Sequence, residues 1–525
     1  KNLTINTMVR FLFLPLMICV RGDFLLPLRD LENPPGKNMY SFIICIVLLV
    51  IGYILYGRFV ERVFAPTKRP TPAVTKTDGV DYVPMPQWKV FMIQFLNIAG
   101  TGPIFGAIMG AKFGPSSFIW ITLGCIFAGA VHDYFCGMMS IRNDGASLPD
   151  LVGIYINKTV RKGMLIFSIL LLLLVGTVFV YSPALILGDL LPMTSTPQTS
   201  IMIWVIIVFV YYIIATMVPI DKLIGKIYPL FAFALLFMAL GLCVCLFIKW
   251  PSIPEFWDGL QNRGPSVGVN NQPIFPCLFI TIACGAISGF HATQSPLMAR
   301  CTMKEEQGRH IFYGAMIVEG IVALIWAAVS SYFFFDGGMQ EVGAKSGQAP
   351  EVVASVAKSW LGIVGGILAI IGVVAAPITS GDTAFRSARL IIADVAHLDQ
   401  KKKMNRVWVA VPLFAVASLL LWYNIADENG FNVIWRYFGW ANQMLAGFTL
   451  WLASIYLVQK EKGFSYLITV IPACFVTSVC VTYFCVDKIC LGMPVEWVPP
   501  IAFSSFIVEF VAFIQWKKHY MKKVR

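Results

Sequence analysis

The sequence predicts an all-α polytopic membrane protein with about thirteen transmembrane helices. Three observations lead to this fold class. Hydrophobic residues make up 58% of the 525 residues and charged residues only 13%, which lies far outside the composition of soluble globular domains. Apolar stretches long enough to cross a hydrocarbon core of about 30 Å recur along the whole chain. The loops between these stretches are short, and no soluble domain fits among them.

The predicted membrane spans follow one another at similar spacing. A first helix and a cytoplasmic loop occupy residues 39–87, a core of ten predicted spans occupies 88–458, and two C-terminal helices with a basic tail occupy 459–525. Residues 1–38 are expected to form an extension outside the fold, because their apolar stretch is only ten residues long and Met39 reads like a natural start. The spans are predicted at 40–57, 88–113, 116–141, 164–190, 201–218, 227–248, 274–298, 311–335, 361–380, 407–423, 431–458, 464–485 and 497–516.

The formal net charge of +12 indicates orientation in the membrane, and nucleic acid is not an expected partner. When the loops are taken alternately, one set holds most of the Lys and Arg residues, including Arg58, Arg62 and the run 401–403. The positive-inside rule places these loops and the C-terminus in the cytoplasm. We therefore expect a multi-pass protein whose C-terminus is cytoplasmic.

Two predicted spans are interrupted by residues that break helices. The first interruption is GTGP at 100–103, and the second is ISGFHATQSP at 287–296. The first opens a set of five spans, residues 88–248, and the second opens another set of five, residues 274–458. Because five is odd, the two sets enter the membrane from opposite sides, which predicts the 5+5 inverted repeat of LeuT-like secondary transporters. One extra N-terminal helix and two extra C-terminal helices flank this core.

The two breaks are predicted to line the substrate site. Unwound backbone survives in a bilayer only where protein, water or a ligand satisfies its N–H and C=O groups. A helix that restarts after a break presents free N–H groups to an anion, and Pro103 and Pro296 suit the first helical position. The alternative is that these Gly and Pro residues only kink helices or permit close packing. The predicted substrate-binding residues are Gly100, Thr101, Gly102, Pro103, Ser288, Gly289, His291, Thr293, Gln294 and Ser295.

Ionisable residues at membrane depth are candidates for proton coupling, because such residues are costly to bury. His132 and Asp133 are neighbours in the third span, where they form either a proton-accepting pair or a structural link between helices. Glu319 lies in the eighth span without a visible partner. Asp382 follows the ninth span, and it either helps to couple a cation or caps the next helix and pairs with Arg386.

Four segments resemble the carbon starvation protein A (CstA) family. They are GTGPIFGAIMGAKFG from Gly100, CGAISGFHATQSPLMARC from Cys284, ITSGDTAFRSARLIIAD from Ile378 and FGWANQMLA from Phe438. The resemblance covers roughly residue 39 to the C-terminus. It implies uptake of small carboxylate nutrients across the inner membrane during carbon starvation, described either as peptide transport or as proton-coupled pyruvate transport. The family is grouped with transporters like those of the amino acid-polyamine-organocation superfamily.

The same resemblance implies a possible sodium site. In sodium-coupled transporters of the 5+5 fold, an Ala followed three and four residues later by Thr and Ser supplies ligands to the ion. Ala376, Thr379 and Ser380 have this spacing and are expected to lie against the first break near Gly100. Sodium coupling at these residues competes with proton coupling.

The sequence thus predicts a secondary active transporter, a symporter that imports pyruvate or peptides and is driven by a proton or sodium gradient. A transporter-like membrane nutrient sensor is the alternative. Enzymatic activity is not expected, because no nucleophile motif or metal triad accompanies His132 and Asp133. The nucleotide-binding motif GxxxxGK[ST] is absent, so transport driven directly by ATP is disfavoured. No cofactor is expected beyond Na⁺ or H⁺ as coupling ion. The partners are the substrate and the lipid bilayer, and the pattern does not specify an oligomeric state.

Overall fold

The part of the chain that the structure describes is mostly helical, which confirms the predicted all-α class. An isolated bridge pairs Met85 with Thr302. Of the predicted N-terminal extension, residues 1–37 lie outside the described part of the chain. The computed structural model describes residues 38–217, 224–263, 272–336, 349–400, 402–426 and 430–524.

We number the principal helices in chain order. They are α1 (Tyr40–Phe64), α2 (Gln87–Ile98), α3 (Gly102–Phe113), α4 (Ser116–Arg142), α5 (Leu148–Tyr155), α6 (Lys158–Leu190), α7 (Pro197–Met217), α8 (Ile224–Lys249), α9 (Ile274–Thr281), α10 (His291–Ala299), α11 (Glu305–Phe335), α12 (Ala349–Val395), α13 (Lys403–Ala426), α14 (Gly430–Gln459), α15 (Leu467–Val486) and α16 (Val495–Val524).

Most of the predicted spans correspond to helices that can cross a membrane. Ten helices in the described part of the chain are long and apolar enough, and the bent pair α2 and α3 together would make an eleventh. The predicted span 274–298 is divided into the short helices α9 and α10, and the predicted span 361–380 lies within α12. The count of thirteen spans and the inverted repeat therefore stay predictions.

Helix α12 corrects the predicted surroundings of Asp382. The sequence predicts a span that ends at Ser380 and a new helix after Asp382, but α12 continues unbroken for 47 residues. Gly381 lies within the helix, and its lack of a side chain allows close packing, since a Cβ at this position would overlap the side chain of Tyr212. Asp382 therefore lies inside a helix, and the predicted capping role is wrong.

Burial separates the central helices from those at the periphery. Of the 18 most apolar consecutive residues in each helix, 83% are buried in α4 and 89% in α11, against 28% in α1 and 22% in α16. Helix α10 packs against α4, and α12 packs along α6 and α8. The central helices thus hold the polar residues, while α1 and α16 present residues such as Leu55 and Val508 at the surface, where lipid is the expected solvent.

Candidate functional site

The two helix breaks lie against each other inside the bundle. A Cβ added to Gly102 in the first break would overlap the side chain of Cys284 in the second. Pro103 packs against Gly285, whose φ of +88° is a backbone conformation that side chains with a Cβ rarely adopt. Small residues at these positions allow two backbone segments to approach closely. The first break is therefore in contact with residues 284 and 285, just before the second segment singled out in the sequence.

The first break lies between α2 and α3, where the sequence predicts it, and the two helices are bent by 54°. The chain restarts as a helix at Gly102, with Pro103 within its first two positions, where a missing N–H has little cost. The Gly100 N–H donates to the Ile98 carbonyl at 2.9 Å. The Ser380 Oγ of α12 donates to the Leu96 carbonyl at 3.0 Å, so another helix supplies a donor at the end of α2.

The second break lies earlier in the chain than predicted. The unwound segment is 282–290, and α10 begins at His291, so the later part of the predicted break is helical. Pro296 is inside α10, and its predicted role at a helix restart is wrong. Proline is tolerated there because the Cys136 thiol of α4 donates to the Ala292 carbonyl at 3.3 Å, the group that residue 296 would otherwise bond. Thr293, Gln294 and Ser295 are likewise helical.

Side chains from three helices satisfy the backbone of the second break. Trp120 Nε1 donates to the Ile282 carbonyl at 2.9 Å. The Gly285 N–H donates to Glu319 Oε1 at 3.2 Å. Asn442 Oδ1 accepts the Phe290 N–H at 2.7 Å and the Ser288 hydroxyl at 3.1 Å, and its main-chain carbonyl accepts the Gly289 N–H at 3.1 Å. Irregular backbone is thus held open by protein groups, as it must be at membrane depth.

Four fully buried ionisable residues form one connected chain across α4, α10 and α11. His132 Nδ1 lies 2.7 Å from Asp133 Oδ1, and His291 Nδ1 lies 2.9 Å from Asp133 Oδ2. His291 Nε2 lies 3.4 Å from Glu319 Oε2. All four side chains are inaccessible to solvent. The sequence marked each residue as a candidate, and the structure adds that they are neighbours.

These four side chains leave one hydrogen position to be shared between His291 and Glu319. Both imidazole Nδ1 atoms reach carboxylate oxygens of Asp133, so each Nδ1 carries a hydrogen and donates it. The remaining His291 nitrogen, Nε2, faces the Glu319 carboxyl group. The two atoms are at ion-pair distance and neither has a hydrogen-bond partner among the described residues, so a hydrogen on one of them makes either an imidazolium or a carboxylic acid. The arrangement can therefore hold or release one proton while its other contacts stay in place.

Polar side chains also line the seam between α2, α10 and α12. Gln94 Nε2 donates to Ser295 Oγ at 3.4 Å, and Gln294 Nε2 lies 3.4 Å from Ser387 Oγ. Within the described residues, the Thr101 hydroxyl has no hydrogen-bond partner. Gln94 and Ser387 are not among the predicted site residues. Gln94 could have been identified from the sequence, because it is a polar residue on a membrane helix less than two turns before a break.

The residues proposed for sodium lie beside the first break. An ideal Cβ at Gly100 would lie 3.2 Å from the Ser380 Oγ. The Thr379 hydroxyl lies 2.9 Å from the carbonyls of both Ala375 and Ala376 and donates its hydrogen within its own helix. Hydroxyl and carbonyl oxygens keep lone pairs that a hard cation can use. The sodium site stays a prediction.

Asp382 forms a second buried polar centre on α12. The Tyr228 hydroxyl of α8 lies 2.6 Å from Asp382 Oδ2 and 3.1 Å from the Thr379 carbonyl. Arg386, the partner predicted for Asp382, instead donates from Nη2 to the Ala215 carbonyl at 2.7 Å, and among the described residues the hydrogen bond to Asp382 comes from Tyr228. No local pattern indicates Tyr228 as the partner of Asp382, because the two residues are distant along the chain.

Solved structures with a similar fold are membrane transporters. The crystal structure of a mutant of the Eremococcus coleocola manganese transporter covers 86% of this chain and 99% of its own, with a TM-score of 0.51 and 11% sequence identity. The same transporter in complex with an aromatic bis-isothiourea compound gives a TM-score of 0.50 over the same shares of the two chains. Together with the apolar spans, this likeness defines a multi-pass membrane protein with a transporter fold.

The chain belongs to the carbon starvation protein CstA family, whose model matches residues 37–203, 180–364 and 339–483. The predicted family is thereby confirmed. The peptide transporter CstA of Escherichia coli is 27% identical over 571 aligned positions, covering 85% of this chain and 80% of its own. An uncharacterised membrane protein of Haemophilus influenzae is 45% identical over 339 positions, covering 56% of this chain and 91% of its own. The family and the fold make the protein a membrane transporter.

Proposed function

We propose that this transporter is a proton-coupled symporter that imports a peptide or another small carboxylate nutrient, such as pyruvate, during carbon starvation. It acts in the inner membrane with its C-terminus in the cytoplasm. The observation that carries proton coupling is the buried chain of His132, Asp133, His291 and Glu319. The named peptide transporters among its relatives support the substrate class.

The position of Glu319 suggests how a proton controls the site. One carboxylate oxygen accepts the Gly285 N–H of the second break, and the other faces His291, the first residue of α10. Gain of the shared hydrogen either makes His291 an imidazolium, which adds an ionic attraction to Glu319, or makes Glu319 a carboxylic acid, which weakens its bond from the Gly285 N–H. The proton thereby changes the forces on the unwound segment and on the helix that follows it. A substrate carboxylate bound beside the break would depend on the same backbone.

The test is uptake into proteoliposomes that contain the purified full chain. Labelled alanyl-alanine and labelled pyruvate are each offered under an imposed proton gradient, an imposed sodium gradient, or no gradient. The proposal expects accumulation of at least one of them with the proton gradient alone. Accumulation that requires sodium would instead favour the site at Ala376, Thr379, Ser380 and Gly100. Tight binding with negligible flux under every gradient would favour the sensor.

A histidine pair provides the matched variants for this test. His291→Gln removes the imidazole between Asp133 and Glu319 and is expected to abolish proton-driven accumulation. His310→Gln removes an imidazole on the surface of α11 that contacts the Tyr53 hydroxyl at 2.6 Å, and it is expected to leave accumulation unchanged. Equal loss in both variants would contradict the assignment of the proton to the buried chain.

A further inference from the structure

Three side-chain amides beside the helix breaks, Gln94, Asn97 and Gln294, are buried with unused hydrogen-bonding groups, and the last two lie nearest the breaks. Asn97 lies on α2 one turn before the first break, and Gln294 lies on α10 just after the second. Both side chains are fully buried. Within the described residues, neither Nδ2 nor Oδ1 of Asn97 has a hydrogen-bond partner, and Oε1 of Gln294 has none. Burying such groups unpaired is costly, so they are suited to a partner that comes and goes.

The hydrogen-bond network fixes which end of Gln294 is free. The Thr293 hydroxyl donates to the Phe290 carbonyl at 2.6 Å, and the Ser387 hydroxyl donates to the Thr293 carbonyl at 3.0 Å. Both hydroxyl hydrogens are therefore used, and both oxygens can only accept from Gln294 Nε2, at 2.9 and 3.4 Å. The free end of Gln294 is thus its carbonyl oxygen, an acceptor that needs a hydrogen from a ligand.

Asn97 and Gln294 belong to one seam of the bundle. Gln94, one turn before Asn97, contacts Ser295, which is next to Gln294 in α10. Helix α12 borders the same seam at both positions, because Ser380 bonds the Leu96 carbonyl and Ser387 contacts Gln294. Gln94 and Asn97 are roughly 4.5 Å apart along the axis of α2. An extended dipeptide spans roughly 7 Å, which is longer than this axial spacing.

We propose that Asn97 and Gln294 form the subsite that recognises N–H groups of the substrate, either its ammonium group or its amide. The Asn97 NH₂ group can donate to the carboxylate of either substrate, but the free carbonyl oxygens of both side chains need donors, and pyruvate as an anion has none. The subsite therefore selects peptides over pyruvate. This inference rests on the proposed function as a transporter of peptides or small carboxylates and adds the residues that discriminate between them.

The experiment measures binding and transport by the full chain with three substitutions. Asn97→Leu and Gln294→Met keep the side-chain size and remove the hydrogen-bonding groups, while Asn97→Asp keeps two acceptor oxygens. The first two are expected to raise the KM and the Kd for alanyl-alanine about 10-fold or more, since hydrogen bonds to charged groups have such effects. Asn97→Asp is expected to retain binding. Asn424→Leu, on the more distant α13, is the matched control and should leave the KM unchanged.

Thermal unfolding separates a binding role from a structural role. Asn97→Leu replaces a buried amide without partners by an apolar side chain, so its Tm in the absence of substrate is expected to rise while its affinity falls. A structural asparagine would lower the Tm on the same substitution. A lowered Tm with an unchanged KM would overturn the proposal.

The outcomes also separate this inference from the proposed function. Wild-type protein that binds alanyl-alanine in detergent but shows no proton-driven accumulation would contradict symport and support the subsite. Wild-type protein that accumulates pyruvate in preference to alanyl-alanine would overturn the subsite and leave symport intact. Unchanged alanyl-alanine affinity in both Asn97→Leu and Gln294→Met would likewise overturn it.

Discussion

Glu319→Gln gives the sharpest test of the proton-coupling chain, because it preserves the geometry of the site. The glutamine carbonyl can keep the bond from the Gly285 N–H, which Glu319 Oε1 now accepts at 3.2 Å. The glutamine NH₂ group can donate to His291 Nε2, which lies 3.4 Å from Glu319 Oε2. The variant therefore imitates the protonated carboxylic acid and cannot release its hydrogen.

The size of the effect follows from the single hydrogen position between His291 and Glu319. One shared position predicts one proton per transport cycle. A gradient of one pH unit is worth about 1.36 kcal/mol per proton, which corresponds to about tenfold accumulation of a substrate with no net charge. Wild-type protein is therefore expected to accumulate zwitterionic alanyl-alanine to about tenfold per pH unit. Glu319→Gln is expected to equalise the two concentrations, a ratio of about one.

The assay uses proteoliposomes with the membrane potential clamped at zero, and it follows labelled alanyl-alanine to a steady state. Exchange of labelled for unlabelled substrate at equal pH on both sides shows whether the variant still binds and turns over. Glu255→Gln is the matched control. Glu255 is a buried glutamate that accepts the N–H groups of Tyr40 and Ser41 at 2.7 Å, outside the proposed coupling chain. Wild-type accumulation by Glu319→Gln would refute the reasoning, and so would an equal loss in the control.

Three further substitutions test the packing and polar contacts around the breaks. Gly102→Ala is expected to lower the free energy of unfolding by about 1–3 kcal/mol through overlap with Cys284, and Cys284→Gly in the same chain should restore thermal stability in detergent. Tyr228→Phe removes the hydroxyl that bonds Asp382 and is expected to cost about 1–3 kcal/mol, measured in the same way. Ser380→Ala is expected to cost about 1 kcal/mol. Its proton-driven accumulation in proteoliposomes should stay at the wild-type level, and a new dependence on sodium would contradict this expectation.

The fold class and the first break could be predicted because their signals are local. An apolar stretch of about twenty residues reports a membrane span by itself. The segment from Gly100 to Pro103 combines residues that leave a helix with one that starts a helix, so it marks a break without knowledge of its neighbours. The structure places the restart at Gly102, within this segment.

The second break was displaced in the prediction because its boundaries depend on other helices. Pro296 suggested a restart, but a thiol from α4 compensates for its missing N–H and allows α10 to include it. The unwound residues before His291 contain no proline, and their backbone is satisfied by Trp120, Glu319 and Asn442 from elsewhere in the chain. No local pattern carries that information.

The coupling chain could be predicted only as separate residues. His132 and Asp133 are adjacent in sequence, so their pairing could be suggested, whereas the contacts of His291 with Asp133 and Glu319 join three different helices. A buried ionisable residue on a membrane helix requires a partner, but its sequence context does not identify that partner. Packing of α4, α10 and α11 supplies the identity.

Helix α10 connects the proton and the substrate in this scheme. Its first residue, His291, belongs to the coupling chain, and Gln294, one turn later, belongs to the proposed amide subsite. Unwound backbone precedes this nine-residue helix, and Arg300 just after it bonds the Gly145 carbonyl at 2.9 Å and Asp394 at 3.2 Å. A change in the force on His291 is therefore transmitted along a rigid helix of two to three turns to Gln294. Proton release and substrate release would then be coupled because one short helix bears both sites.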